Sequence, residues 1–420
     1  MTLPAKESQR LDPLTATPPQ FALEEASAVA KLIFGVTGAV FNLDSERDQN
    51  VRLVSKEGTS YLLKLSNPAD ESEVLDLQTS AMLHIRQQDP ALPVMQPLPT
   101  RDGGYWGGID GPDGCRHFVR LFTFVEGRTV DPPGLGRHAL GGFGATVGRM
   151  GLALRGLFHP AAGYKILWDL KHTPELRAIV DAVEDATRRS MVERVLDRFD
   201  RHVRPALPGV RAQLIHNDLT LDNVLLDRSL RVSGIVDFGD LTHTALICDL
   251  AVSLVSLMWG RGDPLEAAEA AIRGYTSIAP IEDGEANMLA DLVSARLAAL
   301  VVIANWRVRR YPGNARYIRA NEELAWALLE RLDTLGRGVV ERRMRAACTA
   351  RRGLRPSSRR ASDPSSVEDL IGRRQRVLGP ALSPLSYDRP LLLERAEGVT
   401  MFDREGTPYL DAYNNVPVVG

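Results

Sequence analysis

Two short runs constrain this chain more than any bulk property: LIHNDLTLDNVLLD at 214–227 and IVDFGD at 235–240. His216, Asp218 and Asn223 stand at fixed spacing in the first, and Asp237 follows on an apolar strand in the second. Phosphoryl transfer needs a carboxylate beside the attacking hydroxyl and two oxygen-bearing side chains that hold Mg²⁺ against nucleotide phosphates. A kinase catalytic loop supplies the carboxylate and an Asn five residues on, and an Asp after the next strand completes the metal site. Asp218, Asn223 and Asp237 match those roles in order and type, which predicts a kinase.

Asp218 follows a short apolar strand at 213–215, so it emerges on a loop at a strand end, where it could orient or accept the proton of a substrate hydroxyl. A single such Asp would ordinarily be a solvated loop residue; the spacing of all three carries the reading. His216 is read as bracing the loop, Asp222 and Asp227 as turn residues, Asp240 as structural, and Asp249 as an anchor for the loop from a helix start. Asp237 ends the run at 232–236, where a carboxylate is costly unless a cation compensates it. Mg²⁺ would do so, with Asn223 as the neighbouring oxygen ligand.

Lys64 lies in YLLKL at 61–65, on the face opposite Leu63 and Leu65, and is the expected partner of nucleotide phosphates. Its own acidic partner is sought on the following helix, at Asp76 or Glu73. No Gly-rich loop precedes Lys64. The glycine-free segment 42–50 occupies that turn, and the Ser45 hydroxyl, the Arg47 guanidinium and backbone N–H groups could cover phosphates there. The Gly-rich stretch at 134–156 has helical spacing and is read as close helix packing.

The chain has 420 residues, 44% of them hydrophobic and 25% charged, which allows two domains or one bilobal unit with appendages. A net charge of −2 argues against a dedicated nucleic-acid binder. Cys115, Cys248 and Cys348 are too scattered for a disulfide framework or metal cluster, which favours a reducing compartment. The N-terminus lacks a signal-like apolar core, and the most apolar run, 297–304, is too short to span a bilayer. A cytoplasmic protein with no membrane partner is expected; the oligomeric state is open.

Residues 1–20 are polar and expected to be disordered. From 21 to 127 a short helix, strands at 40–42, 51–55 and 60–65, a helix at 71–87 and strand-like runs near 105 and at 117–125 suggest a small α+β lobe. Residues 128–336 read as a larger helical lobe carrying the catalytic loop, with apolar helix faces at 286–307 and 319–335. Twelve arginines crowd residues 337–376, read as a solvated linker rather than a nucleic-acid tail. Residues 377–420 turn globular again, with a hairpin around 403–406.

With HNDLTLDN, IVDFGD, the Lys64 strand and LDSERDQN together, residues from about 21 to 335 resemble the aminoglycoside phosphotransferase-like kinases, more nearly the hydroxylysine kinase-like branch. The resemblance implies a bilobal protein-kinase-like fold of α+β class, with ATP or GTP in the interlobe cleft. It implies a hinge at 121–125, with Thr123 and Val125 against the nucleotide. It also implies a small cationic hydroxylated amine as acceptor. FHP at 158–160 and WDL at 168–170 look like this branch too, which places Trp168 and Asp169 near the substrate. Antibiotic inactivation is the runner-up within the class, and a non-catalytic kinase-like binding module is the alternative outside it. The tail, through 378–383 and 409–416, resembles the opening of class III aminotransferase-fold proteins, including phospho-lyases acting on phosphorylated amino alcohols. The pyridoxal phosphate lysine of those proteins has no counterpart in these residues, so no pyridoxal phosphate site and no lyase activity are expected. The final VPVVG at 416–420 departs from that family's pattern, where a His would usually replace Val418.

Overall fold

The computed structural model describes residues 19–43, 45, 48–310, 318–319, 321–349, 393–397, 400–403 and 407–410. Arg47 and nearly all of the N-terminal segment expected to be disordered lie outside them, as do the linker beyond 349 and most of the tail.

Helix α1 (Leu23–Phe34) opens with Glu24 and Glu25 near its positive end and closes on Gly35, whose φ of 73° suits a residue without a Cβ. Strands β1 (Gly38–Leu43), β2 (Gln49–Ser55) and β3 (Ser60–Leu65) follow as an antiparallel meander. After α2 (Ser72–Gln88) come β4 (Pro97–Leu98), β5 (Gly107–Asp110) and β6 (Arg116–Thr123), completing a six-stranded sheet in the order β1-β2-β3-β6-β4, with β5 also paired to β6. Alternation sorts the side chains. Val51, Leu53, Leu63, Leu65, Val119 and Leu121 form a small core against Ala26, Ala30 and Phe34 of α1, while Lys64, Arg120 and Phe122 take the opposite face.

That opposite face meets α2, and here packing departs from chain order. Leu77, Ala81, Met82 and Ile85 of α2 join the large-lobe core, not the small-lobe one. Asp89 at the end of α2 pairs in bidentate fashion with Arg149, at 2.7 and 2.8 Å. The helix expected as part of the small lobe is therefore packed as part of the large one.

The large lobe begins with α3 (Arg137–Leu154), passes through a series of 3₁₀ turns, of which Leu170–Ala178 is the longest, and continues with α4 (Ala186–Arg198). Strands β7 (Ala212–Ile215), β8 (Val224–Leu226), β9 (Val232–Ile235) and β10 (Thr242–Ala245) form two antiparallel pairs, β7 with β10 and β8 with β9. Helices α5 (Ile247–Met258), α6 (Pro264–Thr276), α7 (Asp283–Arg310), α8 (Glu322–Leu335) and α9 (Arg337–Thr349) complete it. The glycines of α3 let it approach α6: a methyl at Gly144 would collide with the Ala271 backbone, and one at Gly274 with that of Gly141. Helix α7 spans 28 residues and is long and apolar enough to cross a membrane, yet 83% of its most apolar window is buried inside the lobe. It is a core helix.

Helix α9 corrects the linker boundary. Residues 337–349 form a helix that buries Val340, Met344, Ala347 and Cys348. Two of its arginines form ion pairs: Arg337 with Asp291 at 3.0 Å, and Arg343 with Asp263 at 2.8 Å and Glu269 at 2.5 Å. The arginine density hid a helical apolar stripe that carboxylates of α6 and α7 complement. Residues 1–353 and 354–420 are separate compact units. In the second, β11 (Leu393–Glu397), β12 (Thr400–Asp403) and β13 (Pro408–Leu410) pair antiparallel in sequence order, so the expected turn after Asp403 joins paired strands.

Candidate active site

The loop after β7 is held from beneath. Asn217 takes a left-handed φ of 65°, and its N–H donates to Asp249 Oδ1 at 2.8 Å from the first turn of α5. Burial pushes the Asp249 carboxyl up to about 7, with the backbone N–H groups of 216 and 217 pulling the other way. His216 is buried with its ring 4.7 Å from that of Phe238. Burial pushes it down to about 4 despite the charge of Asp237, so the ring is neutral.

Asp218 then enters the cleft with both carboxylate oxygens engaged. Arg296 Nη2 donates to Oδ1 at 2.8 Å, and Asn223 Nδ2 donates to Oδ2 at 2.7 Å and to the Asp218 carbonyl at 3.0 Å. Burial pushes Asp218 up to about 7; Arg296 opposes the shift, and Asp240, Asp237 and Asp222 add to it. The β8–β9 hairpin sets the next two residues. Val224 faces Ile235 in its register, and the Val236 N–H donates to the Asn223 carbonyl at 3.0 Å, so Asn223 and Asp237 flank the same hairpin end. Asp237 is exposed at a left-handed φ of 57°, and its Oδ1 accepts from the Gly239 N–H at 3.0 Å.

This donor set fits a hard divalent cation. Asn223 spends its amide N–H groups on Asp218, which turns its carbonyl oxygen to the other side, and Asp237 adds a carboxylate. Among the described residues no group of three His, Cys, Asp or Glu side chains could hold a metal ion. A cation here would complete its shell with phosphate and water oxygens, as Mg²⁺ does in nucleotide sites.

On the small lobe, Lys64 Nζ lies 2.8 Å from Asp48 Oδ2. Asp48 also accepts from the Asn67 N–H at 2.9 Å. Burial alone would lower the Lys64 ammonium, but Asp48, with Asp237 farther off, holds it above the usual lysine value. The helix partner expected for Lys64 is thus corrected: Asp76 Oδ2 instead accepts from His159 Nε2 at 3.0 Å, His159 Nδ1 having accepted the Ala161 N–H. Glu73 lies on the exposed first turn, its carboxylate accepting from the Ser72 hydroxyl. Register explains the exchange. Asn50 faces Lys64 across β2–β3, so Asp48 reaches Lys64 from the same strand end.

A cavity of about 440 Å³ opens beside Asp218 and Asn223, with Trp168, Trp259, Arg296 and Arg307 in its wall. Trp168 lies under Arg296, 5.0 Å from guanidinium to ring. Asp169 is corrected: it is buried, caps the 3₁₀ turn through the Lys171 N–H at 3.1 Å, and binds Lys171 Nζ at 2.8 Å and the Thr242 hydroxyl at 3.2 Å. Its carboxylate serves the loop, not the cavity. The Thr123 hydroxyl accepts from the Gln96 N–H and the Thr123 N–H donates to the Gln96 carbonyl, each at 2.9 Å. Val125 packs over Gly234 of β9, and Ser45 is exposed past β1.

Sequence reasoning missed Asp48, Arg120 and Arg296. Asp48 stood inside the quoted LDSERDQN loop, and Arg296 is a lone cation in the apolar stretch 292–304. A charge in an apolar helix face was the available signal.

Residues 41–289 match the phosphotransferase enzyme family APH. A hydroxylysine kinase of Danio rerio is 28% identical over 339 residues, covering 77% of this chain and 95% of that protein. Among solved structures, a microcompartment-associated aminopropanol kinase superposes with a TM-score of 0.62 at 19% identity, over 76% of this chain and 99% of that one. The amicoumacin kinase hAmiN gives 0.57 at 16% identity, over 72% and 93%. Identities this low speak to the bilobal kinase-like fold alone. The family match covers more than half of the sequence and includes the loop, the hairpin and Lys64, and the chain belongs to the APH phosphotransferase enzyme family.

Proposed function

We propose that the chain is a small-molecule kinase that transfers the γ-phosphate of ATP or GTP to the hydroxyl of a small hydroxylated amine, of the kind a hydroxylysine kinase takes. The observation that carries this reading is the Asp218 carboxylate fixed at 2.7 Å by Asn223, with Asp237 at the same hairpin end and the cavity alongside. Asp218 orients the acceptor hydroxyl and takes its proton through a remaining lone pair. Lys64 steadies the nucleotide phosphates. Asn223 and Asp237 would hold Mg²⁺, which supplies neutralisation of the charge on the transferred phosphoryl group. The protein's part is then mostly positioning.

Charge in the cavity favours an ammonium: five carboxylates, Asp218, Asp222, Asp237, Asp240 and Glu322, line it against two arginines, Arg296 and Arg307. With Asp218 bonded to Arg296, Asp222, Asp240 and Glu322 suit an ammonium. A hydroxylated amino acid is preferred over an aminoglycoside, which remains the second reading. The similarity to hydroxylysine kinases supports the same choice. A cytoplasmic location is part of the proposal, supported by three free cysteines. So is the reading of residues 377–420 as the opening of a class III aminotransferase-fold segment, which the β11–β13 pairing accommodates.

The test is Mg²⁺-dependent nucleotide turnover against 5-hydroxylysine, homoserine, ethanolamine, choline and kanamycin. Phosphorylation of a hydroxy amino acid, lost by about 10²–10⁴-fold in Asp218→Asn with nucleotide binding retained, is the expected result. Turnover of kanamycin alone would move the assignment to antibiotic inactivation. Nucleotide binding without turnover of any acceptor would favour a non-catalytic module.

A further inference from the structure

Arg120 has no part in the chemistry described so far, yet it stands beside it. The β3–β6 register pairs Lys64 directly with Arg120, so two cations project from the same face of the sheet. Like charges opposite one another oppose pairing unless something offsets them. Arg120 is 2% exposed and its Nε has no hydrogen-bond partner. Its Nη1 donates to Gln78 Oε1 of α2 at 2.6 Å, and its guanidinium lies 5.4 Å from the Phe122 ring. The carboxylates that favour its charge are Asp48, Asp70 and Asp237, with Asp48 already bonded to Lys64. The two cations thus face each other across the strand pair, with Asp48 bonded to Lys64 and acting on Arg120 only through its field.

The placement of α2 gives this arrangement a role. In protein kinases a glutamate on this helix holds the phosphate-binding lysine. Here the acidic candidate Asp76 bonds His159 of the large lobe, and α2 packs into the large-lobe core. The lysine is held within its own sheet by Asp48, and the sheet face is tied to α2 through Arg120 and Gln78.

We propose that Arg120 is a positioning residue of the nucleotide-phosphate site: anchored to α2 by Gln78, it draws on the charge of Asp48 and so leaves the Lys64 ammonium available to phosphate. A closed Lys64–Asp48 pair alone would be neutral and would attract phosphate weakly. With Arg120 beside it, the trio of Lys64, Arg120 and Asp48 carries one net positive charge, and the two cations compete for the field of Asp48. The inference rests on the reading of this cleft as the nucleotide site.

The experiment measures nucleotide Kd by calorimetry, acceptor KM and Tm for the full chain and for Arg120→Met, Arg120→Lys, Lys64→Met, Gln78→Leu and the Lys64→Met/Arg120→Met double variant. Arg120→Met is expected to weaken nucleotide binding about 10–100-fold, the scale of a hydrogen bond to a charged group, with acceptor KM within about twofold. Arg120→Lys restores most of the loss. In the Lys64→Met background, Arg120→Met costs less than about threefold more, because its effect runs through the lysine. Fully additive losses in the double variant overturn the proposal. So does wild-type nucleotide affinity in Arg120→Met with only Tm lowered. Should Arg120→Met fail to fold, Gln78→Leu carries the test: it keeps the charge, is expected to weaken nucleotide binding severalfold, and overturns the idea if it binds like wild type. A wild-type chain that binds neither ATP nor GTP would sink the cleft reading itself, and this proposal with it.

Discussion

His216 and Asp249 buttress the loop after β7 with opposite electrostatic signs. The fold holds His216 near 4, below its ordinary 6.5, so the unfolded chain takes up the proton first as pH falls. Stability contributed by the neutral ring is present above about 6.5 and lost as pH drops towards 4, on the order of 3 kcal/mol over the window. Asp249, held near 7 against an ordinary 3.8, acts in reverse: its contribution is full below about 4 and is lost as pH rises through 7. The two contributions oppose each other between pH 4 and 7 in wild type, so chemical denaturation should show stability falling more steeply with rising pH in His216→Gln, and rising more steeply with pH in Asp249→Asn. Parallel stability profiles for all three proteins would remove the burial argument. The residues that carry the proposed chemistry were readable because they are local: Asn223 and Asp237 are joined by one hairpin whose register follows from its short strands. The partner of Lys64 was not readable. Asp48 and Asp76 are both acids near a lysine strand in sequence, and only the strand register and the competing His159 decide between them.

At the scale of elements, glycine marks contact rather than flexibility in α3. Gly144 meets the Ala271 backbone of α6, whereas Gly142, two residues earlier, has nothing within 4 Å of where its Cβ would stand. Gly144→Ala is expected to destabilise the protein by about 1–3 kcal/mol through overpacking. Gly142→Ala should stabilise it by about 0.5–1 kcal/mol, since it removes only backbone freedom. Thermal unfolding of the two variants checks the pair, and equal effects would mean that α3 and α6 are not in this contact. The helical spacing of these glycines was legible in the sequence, but the identity of the helix they meet was not, because α6 follows more than a hundred residues later. Helix α9 shows the converse failure. Val340, Met344, Ala347 and Cys348 are spaced for one helix face, but arginines crowd them and composition outweighed periodicity.

At the scale of the whole molecule, everything assigned to phosphoryl transfer lies within residues 1–353, and 354–420 forms its own compact unit. Removing residues 354–420 should leave kcat and both KM values within about twofold of the full chain. Steady-state kinetics of the shortened protein would show otherwise if the tail served the cleft. Removing residues 337–420 instead should sharply lower Tm, because it strips a helix whose apolar side chains are part of the large-lobe core. The small lobe is also smaller than its sequence span: α2 belongs by packing to the large lobe, so a change in the cleft would move sheet and α1 against α2 and everything below it.

The sequence by itself determined the reaction class, the order of the elements and the hairpin that sets Asp218, Asn223 and Asp237, since those depend on spacing and on strand periods of a few residues. It also determined the core faces of β2, β3, β6 and α7 through their apolar alternation. Only the tertiary structure decided which charges meet. Arg296 reaches Asp218 across 78 residues, and Asp76 turns to His159 across 83. Ion pairs answer to distance and burial, not to separation along the chain, and in an interior of low dielectric a carboxylate goes to whichever cation packing brings within about 3 Å.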